Sequence, residues 1–506
     1  MPVENDSPAA QTRQIGVSRP ALPVTDLPQP EEVFKVKRIG LEELCLYVLG
    51  PALITLGLAI GSGEWLLGPL VVGGHGFRGI GWVIVLSIAL QTFYNIELAR
   101  FTIATGETPI LAFGRTPPGF FLWIPLALFT FYMAFMLGGW AVSAGGSLFA
   151  LFEGRPHRPD EITAVRMLGT ILLASTFLFV SFGRNIERVL EISMGTLVMF
   201  IISGLLLVTI AVVPLGYFGE AIESLIIPSA PPVGTDPSLL GALAGFAGMA
   251  SGLNFITIGY YRDKGYGMGY KTGHISGLIG GSRTDIMPAG MIFSENEKNT
   301  ACWKRWFRFL LIDQWGIFFM GSIIGMMGPC ILVGYLAGLP GVEHPTRATI
   351  LTYAAVHLGQ RYGPLLFGWA LLMGFFILYT TQILTVETLT RNMTDAVYCT
   401  SAGLRRLVKF DPRRFYYPWM FFLVLAISII IHIALPVDLI LASANMSNVA
   451  SMIFPLIMIY LNCKLPRPAR MGWLPGLALI GNAVFYGFFF INFLVTHLTG
   501  MPLVRF

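Results

Sequence analysis

Gly61-Ser62-Gly63-Glu64 lies in the middle of an apolar run, LCLYVLGPALITLGLAIGSGEWLLGPLVV, from Leu44 to Val72. The run is long enough to cross a bilayer, which takes roughly 20 residues. Gly-Ser-Gly weakens the helix locally. A break at membrane depth persists only where the freed backbone groups line a protein-walled cavity. A carboxylate beside such a break marks a functional site. A second run, GALAGFAGMASGLNFITIGYY from Gly241, is interrupted in the same way at Ala250-Ser251-Gly252, with Asn254 following. The two breaks share Ser-Gly and then a polar group. Amides at a half-helix N-terminus attract anions, and carbonyls at a half-helix C-terminus attract cations. The candidate substrate-binding residues are therefore Gly61, Ser62, Gly63, Glu64, Ala250, Ser251, Gly252 and Asn254, and Glu64 is the charged ligand if a metal binds. Small residues also serve close helix packing, and Gly57 with Gly61, Gly241 with Gly245, and Gly248 with Gly252 have GxxxG spacing. The pairing of two breaks, each with a polar side chain, favours a site.

Further polar residues occur at depth. Gln91 and Asn95 share a helix face at i, i+4. Asp313 is followed by Gln314; Thr380 and Thr381 lie in another apolar run; Asn445 and Asn448 occur with Ser443, Ser447 and Ser451 before Pro455. Each serves either as a coupling or supporting residue for the site or as interhelical glue. Glu97 and Arg100, at i, i+3, read as a structural pair.

The elements that hold these residues follow from composition. The chain has 506 residues, 55% hydrophobic and 12% charged, with a mean hydropathy of +0.69. An ordinary soluble protein carries about 25% charged residues, so an all-α integral membrane protein is expected. Period-2 alternation is absent, which excludes a barrel. Eleven apolar segments are expected as transmembrane helices, near 44–73, 79–104, 120–151, 162–182, 187–216, 237–260, 307–338, 361–393, 416–435, 437–461 and 472–498. Trp82, Trp303, Trp306, Tyr416, Tyr417, Trp419 and Trp473 cluster near their ends, as interfacial anchors do. With the N-terminus in the cytoplasm, most of the 33 Lys and Arg residues fall on the cytoplasmic side. The expectation is N-terminus inside and C-terminus outside, in a bacterial-type inner or plasma membrane. Residues 1–40 are polar and Pro-rich and are expected as a disordered cytoplasmic tail. Residues 41–498 form one membrane domain, with a cytoplasmic loop over 261–305. The five cysteines contain no CxxC pair and suit apolar packing.

Two interrupted spans in corresponding positions of two halves point to a secondary transporter built on an inverted repeat. Enzyme motifs are missing: there is no GxSxG, HExxH or Walker loop. No cofactor is implied. The expected partners are a small solute or ion and the lipid bilayer, not nucleic acid; the oligomeric state does not follow from the sequence.

Several stretches carry a family resemblance. LGPALITLGLAIGSGEW, IELARFTIATGETP, FGRNIERVLEISMG, FLLIDQWG and LILASANMSNVASMIFPLI resemble, in order, the first, second, fifth, seventh and tenth helices of the natural resistance-associated macrophage proteins (Nramp). These are proton-coupled divalent-metal transporters. The resemblance covers about residues 44–498. It implies 11 helices in a leucine-transporter-like 5+5 inverted repeat with discontinuous helices 1 and 6. Repeat one would span about 44–216, repeat two about 237–461, and an extra helix 472–498. It implies ion transport by symport, with metal ion transport as the leading class.

The departures fall on the family's metal site. Gly61 and Glu64 stand where the family has Asp and Asn. The family's Met-Pro-His falls around Ala250, Ser251 and Gly252, and thioethers help select transition metals. The acidic pair of the third helix is absent from MLGGWAVSAGG. The chain thus resembles a divergent member without the usual metal-site motifs. Two alternatives stay open. The fold could carry an amino acid or organic anion whose carboxylate binds at Gly-Ser-Gly, or the chain could be a non-transporting membrane sensor.

Overall fold

Hydrocarbon offers the backbone no hydrogen-bond partners, so each apolar segment satisfies its own amides by winding into a helix. The computed structural model describes residues 24–44, 56–57, 59–181, 186–249, 252–273, 287, 289–504 and 506, with backbone alone for 186–192, 194, 256 and 257. The described chain is all-helical apart from a single parallel bridge between Thr25 and Phe293. The helices used below are α1 (Pro30–Phe34), α2 (Gly68–His75), α3 (Gly81–Thr105), α4 (Phe120–Phe135), α5 (Gly139–Glu153), α6 (Ile162–Ser181), α7 (Ile186–Val212), α8 (Pro237–Phe246), α9 (Asn254–Asp263), α10 (Glu297–Leu311), α11 (Met320–Ala337), α12 (Pro364–Met393), α13 (Arg413–Ile430), α14 (Pro436–Asn462) and α15 (Trp473–Thr499).

Among the described residues, nine helices are long and apolar enough to cross a membrane, and α8 is a shorter apolar helix. Most of the first expected segment before Leu56 lies outside the described residues. Large apolar side chains such as Met167 on α6, Leu207 on α7, Ile429 on α13 and Val484 on α15 are exposed, whereas Ser87, Gln91 and Asn95 on α3 are fully buried. Apolar groups outside and polar groups inside suit a lipid surround. The protein is an integral, multi-pass membrane protein.

Three expectations need correction. The segment expected unbroken over 120–151 is interrupted between α4 and α5, at Met136 to Gly138, where Gly138 has φ +70°. The tail is not unstructured to residue 40. The Leu27 amide donates to Asn299 Oδ1 at 3.0 Å, Trp306 Nε1 donates to the Pro28 carbonyl at 2.8 Å, and Val33 and Phe34 are buried. The 261–305 loop is shorter than expected, because α9 runs to Asp263 and α10 begins at Glu297. Asn296 caps α10, its Oδ1 accepting from the Asn299 amide at 2.7 Å.

Candidate functional site

Gly63 permits a close approach between the two broken spans. A Cβ there would lie 2.1 Å from the Phe246 carbonyl oxygen, so only glycine lets the first broken span touch the end of α8. The first span bends at Ile60 and Gly61, then resumes as a π-helical turn, Gly63–Leu67, leading into α2. The second span ends as α8 at Phe246 and restarts as α9 at Asn254. Between them Gly248 (φ +85°) and Gly252 (φ +96°) adopt left-handed conformations that L side chains resist.

Glu64 joins the two breaks. Its Oε2 accepts from the Gly61 amide at 2.8 Å, three residues back, as the glutamate of a capping box does. Its Oε1 accepts from the Gly248 amide at 3.2 Å. The side chain is 1% exposed, and among the described residues no Lys, Arg or His pairs with it. One amide from each break, Gly61 and Gly248, is thereby spent on an internal carboxylate.

Gly61, Ser62, Gly63, Glu64 and Thr381 line one cavity together with Trp140, Phe246, Gly248 and Leu253. Its volume is about 10 Å³, room for about one water. Ser62 Oγ accepts from Trp140 Nε1 at 2.8 Å, and the Trp140 ring stacks on Phe246 at 5.8 Å. These two rings cover the site. Thr381 Oγ1 donates to the Ile377 carbonyl of its own helix at 2.9 Å, so its lone pairs stay open to the cavity side.

The remaining sequence candidates sort by position. Asn254 Oδ1, at the first residue of the restarted helix, accepts from the Gly252 amide at 3.1 Å, and its Nδ2 donates to Asn95 Oδ1 at 2.8 Å. Gln91 Nε2 donates to the Ala247 carbonyl at 3.2 Å and to Tyr486 at 2.8 Å. Ala250 and Ser251 lie outside the described residues. Thr380 bonds back within α12 and does not line the cavity. Asn445 and Asn448 tie α14 to α8, donating to the Ser238 and Gly241 carbonyls at 3.0 and 3.1 Å. Asp313 sits apart, with Tyr261 and Gln314.

Other site residues escaped the sequence reading. Ser87 Oγ donates to the Ala244 carbonyl at 2.6 Å. With Gln91 and Asn95 it forms an i, i+4, i+8 row on α3 that satisfies the second break, and that spacing was the available signal. Gln382 Oε1 accepts from the Ala141 amide at 3.1 Å and so holds the α5 terminus that presents Trp140. The Gly138-Gly139 pair was the signal for that third break.

Beyond the cavity, toward the face where α1 docks, lies a buried ionic network. Arg262 pairs with Asp395 at 3.0 Å and with Asp263 at 3.1 Å, and Arg391 pairs with Asp263 and, at 2.7 Å, with Glu387. Tyr260 and Tyr416 both donate to Glu387, at 3.1 and 3.2 Å. The network locks α9 to α12. On the opposite face Arg347 pairs with Asp236 at 2.9 Å, in half-exposed positions. Among the described residues no group of three or more His, Cys, Asp and Glu could hold a metal ion. A cation in the cavity would therefore rely on Glu64, hydroxyls and carbonyls, the hard oxygen donors that suit hard cations.

No family model matches the chain, and no curated protein does. Solved structures do. A mutant of the manganese transporter of Eremococcus coleocola matches with a TM-score of 0.54 at 16% identity, covering 96% of this chain and 92% of that chain. The same transporter in complex with an aromatic bis-isothiourea compound matches at 0.53 and 15%. MhsT in complex with L-phenylalanine matches at 0.54 and 17%, covering 90% of this chain and 98% of that one. The chain has a transporter fold. The fold is the leucine-transporter type expected from the Nramp resemblance, and identities this low carry the fold alone.

Proposed function

We propose that the protein is a secondary active transporter that moves a small cation, most simply a divalent one, by alternating access around the Glu64 cavity. The observation that carries this reading is the double use of Glu64. An anionic substrate would need amides of the breaks, and those of Gly61 and Gly248, one in each break, already donate to Glu64. What remains open toward the cavity is one carboxylate, the Ser62 and Thr381 hydroxyls and carbonyl oxygen, a set that attracts positive charge. Gly61, Gly63, Ala250, Ser251, Gly252 and Asn254 supply the backbone that shapes it. The manganese transporter among the structural neighbours supports a metal ion as cargo, and the absence of a soft sulfur in the described cavity lining favours harder ions. The buried α9–α12 network and the small cavity support the reading of a state sealed on the face where α1 docks. The basic loops of that face support a cytoplasmic N-terminus.

The test is isothermal titration of the purified protein with manganese, magnesium and calcium, repeated on Glu64→Ala. Saturable heat with at least one of them, lost in the variant, is the expected result. Uptake of labelled amino or organic acids into proteoliposomes, unaffected by divalent ions and by Glu64→Ala, would overturn it.

A further inference from the structure

Asp313 is the second uncompensated acid of the interior. The other buried acids all have arginine partners: Glu97 with Arg100, Glu107 with Arg115, Glu387 and Asp263 with Arg391, and Asp395 with Arg262. Glu64 and Asp313 have none among the described residues. Asp313 is 0% exposed. It lies in a π-helical segment, Ile312–Phe319, between α10 and α11. Such bulges frequently occur at functional sites.

Its hydrogen bonds are lopsided. Tyr261 donates to Asp313 Oδ2, and Gln314 Nε2 donates to Tyr261 at 3.0 Å and reaches Asp313 Oδ2 at 3.5 Å. Asp313 Oδ1 and Gln314 Oε1 are buried with no partner. Both orphans are acceptors, so the cluster is short of protons. Of the ionisable groups on the elements packed around it, Tyr94 on α3 has a buried hydroxyl without a hydrogen-bond partner and packs its ring on Phe255; the following ones are engaged elsewhere or exposed. On α3, Glu97 pairs with Arg100, whose guanidinium lies over Phe307. On α10, Arg308 is exposed. On α11, Cys330 faces Gly68, and Tyr335 packs on Tyr217. On α9, Tyr260 and Arg262 are held by Glu387 and Asp395.

We propose that Asp313 takes up and releases a proton in each transport cycle, and that Tyr261 couples this step to the movement of α9. The proton passes from hydronium to Oδ1 on one side of the membrane, leaving water, and returns to water on the other. Tyr261 adjoins Arg262, the residue that pins α9 to Asp395. Swinging α9 away withdraws Tyr261 from the carboxyl. A charged Asp313 would then lose a donor in a buried site, whereas a protonated one has no charge to strand. The half-helix therefore moves with the acid neutral. This rests on the cation reading above, with Glu64 holding cargo and Asp313 the driving proton.

Infrared difference spectroscopy in H₂O and D₂O reads Asp313 without any cargo. A deuterium-sensitive protonated-carboxyl band, absent from Asp313→Asn and moved in frequency in Tyr261→Phe, is expected. Should Asp313→Asn not fold, Tyr261→Phe and Asp313→Glu carry the same readout through the shifted band. In proteoliposomes, manganese uptake driven by a proton gradient should fall about tenfold in Asp313→Asn, within the usual span of coupling between sites, while manganese binding by titration persists. A band that survives unchanged in Asp313→Asn, or wild-type gradient-driven uptake by that variant, overturns the proposal. No cation binding by the wild type would instead remove the cation reading and leave the band to decide Asp313.

Discussion

Glu64 Oε1 accepts the Gly248 amide at 3.2 Å across 184 positions of sequence, so a single carboxylate holds the second broken helix against the first. Glu64→Gln tests that bond. The amide keeps one acceptor but turns an NH₂ toward one of the two backbone donors. One buried N–H is left unpaired, at a cost of about 1–3 kcal/mol. Thermal unfolding should show that loss, and cation affinity measured by titration should fall by about 10- to 100-fold, the usual worth of a contact to a charged group, as the carboxylate charge of the cavity lining disappears. Wild-type affinity in Glu64→Gln would show that the carboxylate is structural.

Gly63→Ala adds one methyl where the Phe246 carbonyl oxygen would lie 2.1 Å from it. That neighbour is backbone and has no rotamer to yield, so the two spans must separate. The expected cost is about 1–3 kcal/mol, typical of overpacking, with substrate binding lost even where the protein still folds. Gly74→Ala is the control, because nothing lies within 4 Å of its Cβ position. Equal melting temperatures for the two variants would contradict the close approach.

The first break was legible because Gly-Ser-Gly-Glu violates the composition of a lipid-facing helix at one point. The second was legible from its match to the first. The interruption after α4 was not read, because Gly138-Gly139 in a long apolar run looks like a packing notch until Trp140 is seen to bond Ser62. Long-range charge pairing was not legible at all. Arg262 and Asp395 are 133 positions apart, and Tyr261 and Asp313 are 52 apart. No local spacing links them, since a helix pattern reports only neighbours three or four residues away. Asn445 and Asn448 were rightly read as polar inward-facing groups, yet the same pattern serves a helix-to-helix clasp as well as a ligand site.

Arg391 holds α9 to α12 through Asp263 and Glu387, with its guanidinium 5.4 Å from the centre of the Tyr260 ring. Arg391→Met leaves both acids facing one another without that cation. Breaking a buried pair in this way costs about 3–5 kcal/mol. Because the network ties α9 to its neighbour, part of the cost should appear as opening rather than unfolding. Cys399 is 2% exposed beside this network. Its maleimide labelling, followed by peptide mass spectrometry, should rise in Arg391→Met under conditions where the melting transition remains cooperative. Unchanged labelling would mean that the network does not gate that face.

The segment from Thr25 to Phe34 packs near the C-terminal end of α9. Phe34 packs on Tyr266 at 5.8 Å and on Trp306 at 5.6 Å, and Tyr266 follows the end of α9 by three residues. Pro28 accepts from Trp306 Nε1 at 2.8 Å, and Arg305 pairs with Glu31. Two truncations separate anchoring from mere length. Removing residues 1–23 leaves every one of these contacts in place and serves as the reference. Removing residues 1–34 uncovers Phe34's partners, a burial worth about 1.5–3 kcal/mol, and strands the Trp306 indole N–H. Since the lost contacts brace Tyr266, the longer truncation should also speed opening of the α9 end, read as faster modification of Cys399, which is 2% exposed beside the Arg262–Asp395 pair and not covered by the segment. Trp306→Phe in the full chain removes the indole bond while keeping a ring, and should give an intermediate labelling rate. Equal rates for the two truncations would make the segment a passive covering, because a brace must slow the motion of what it holds.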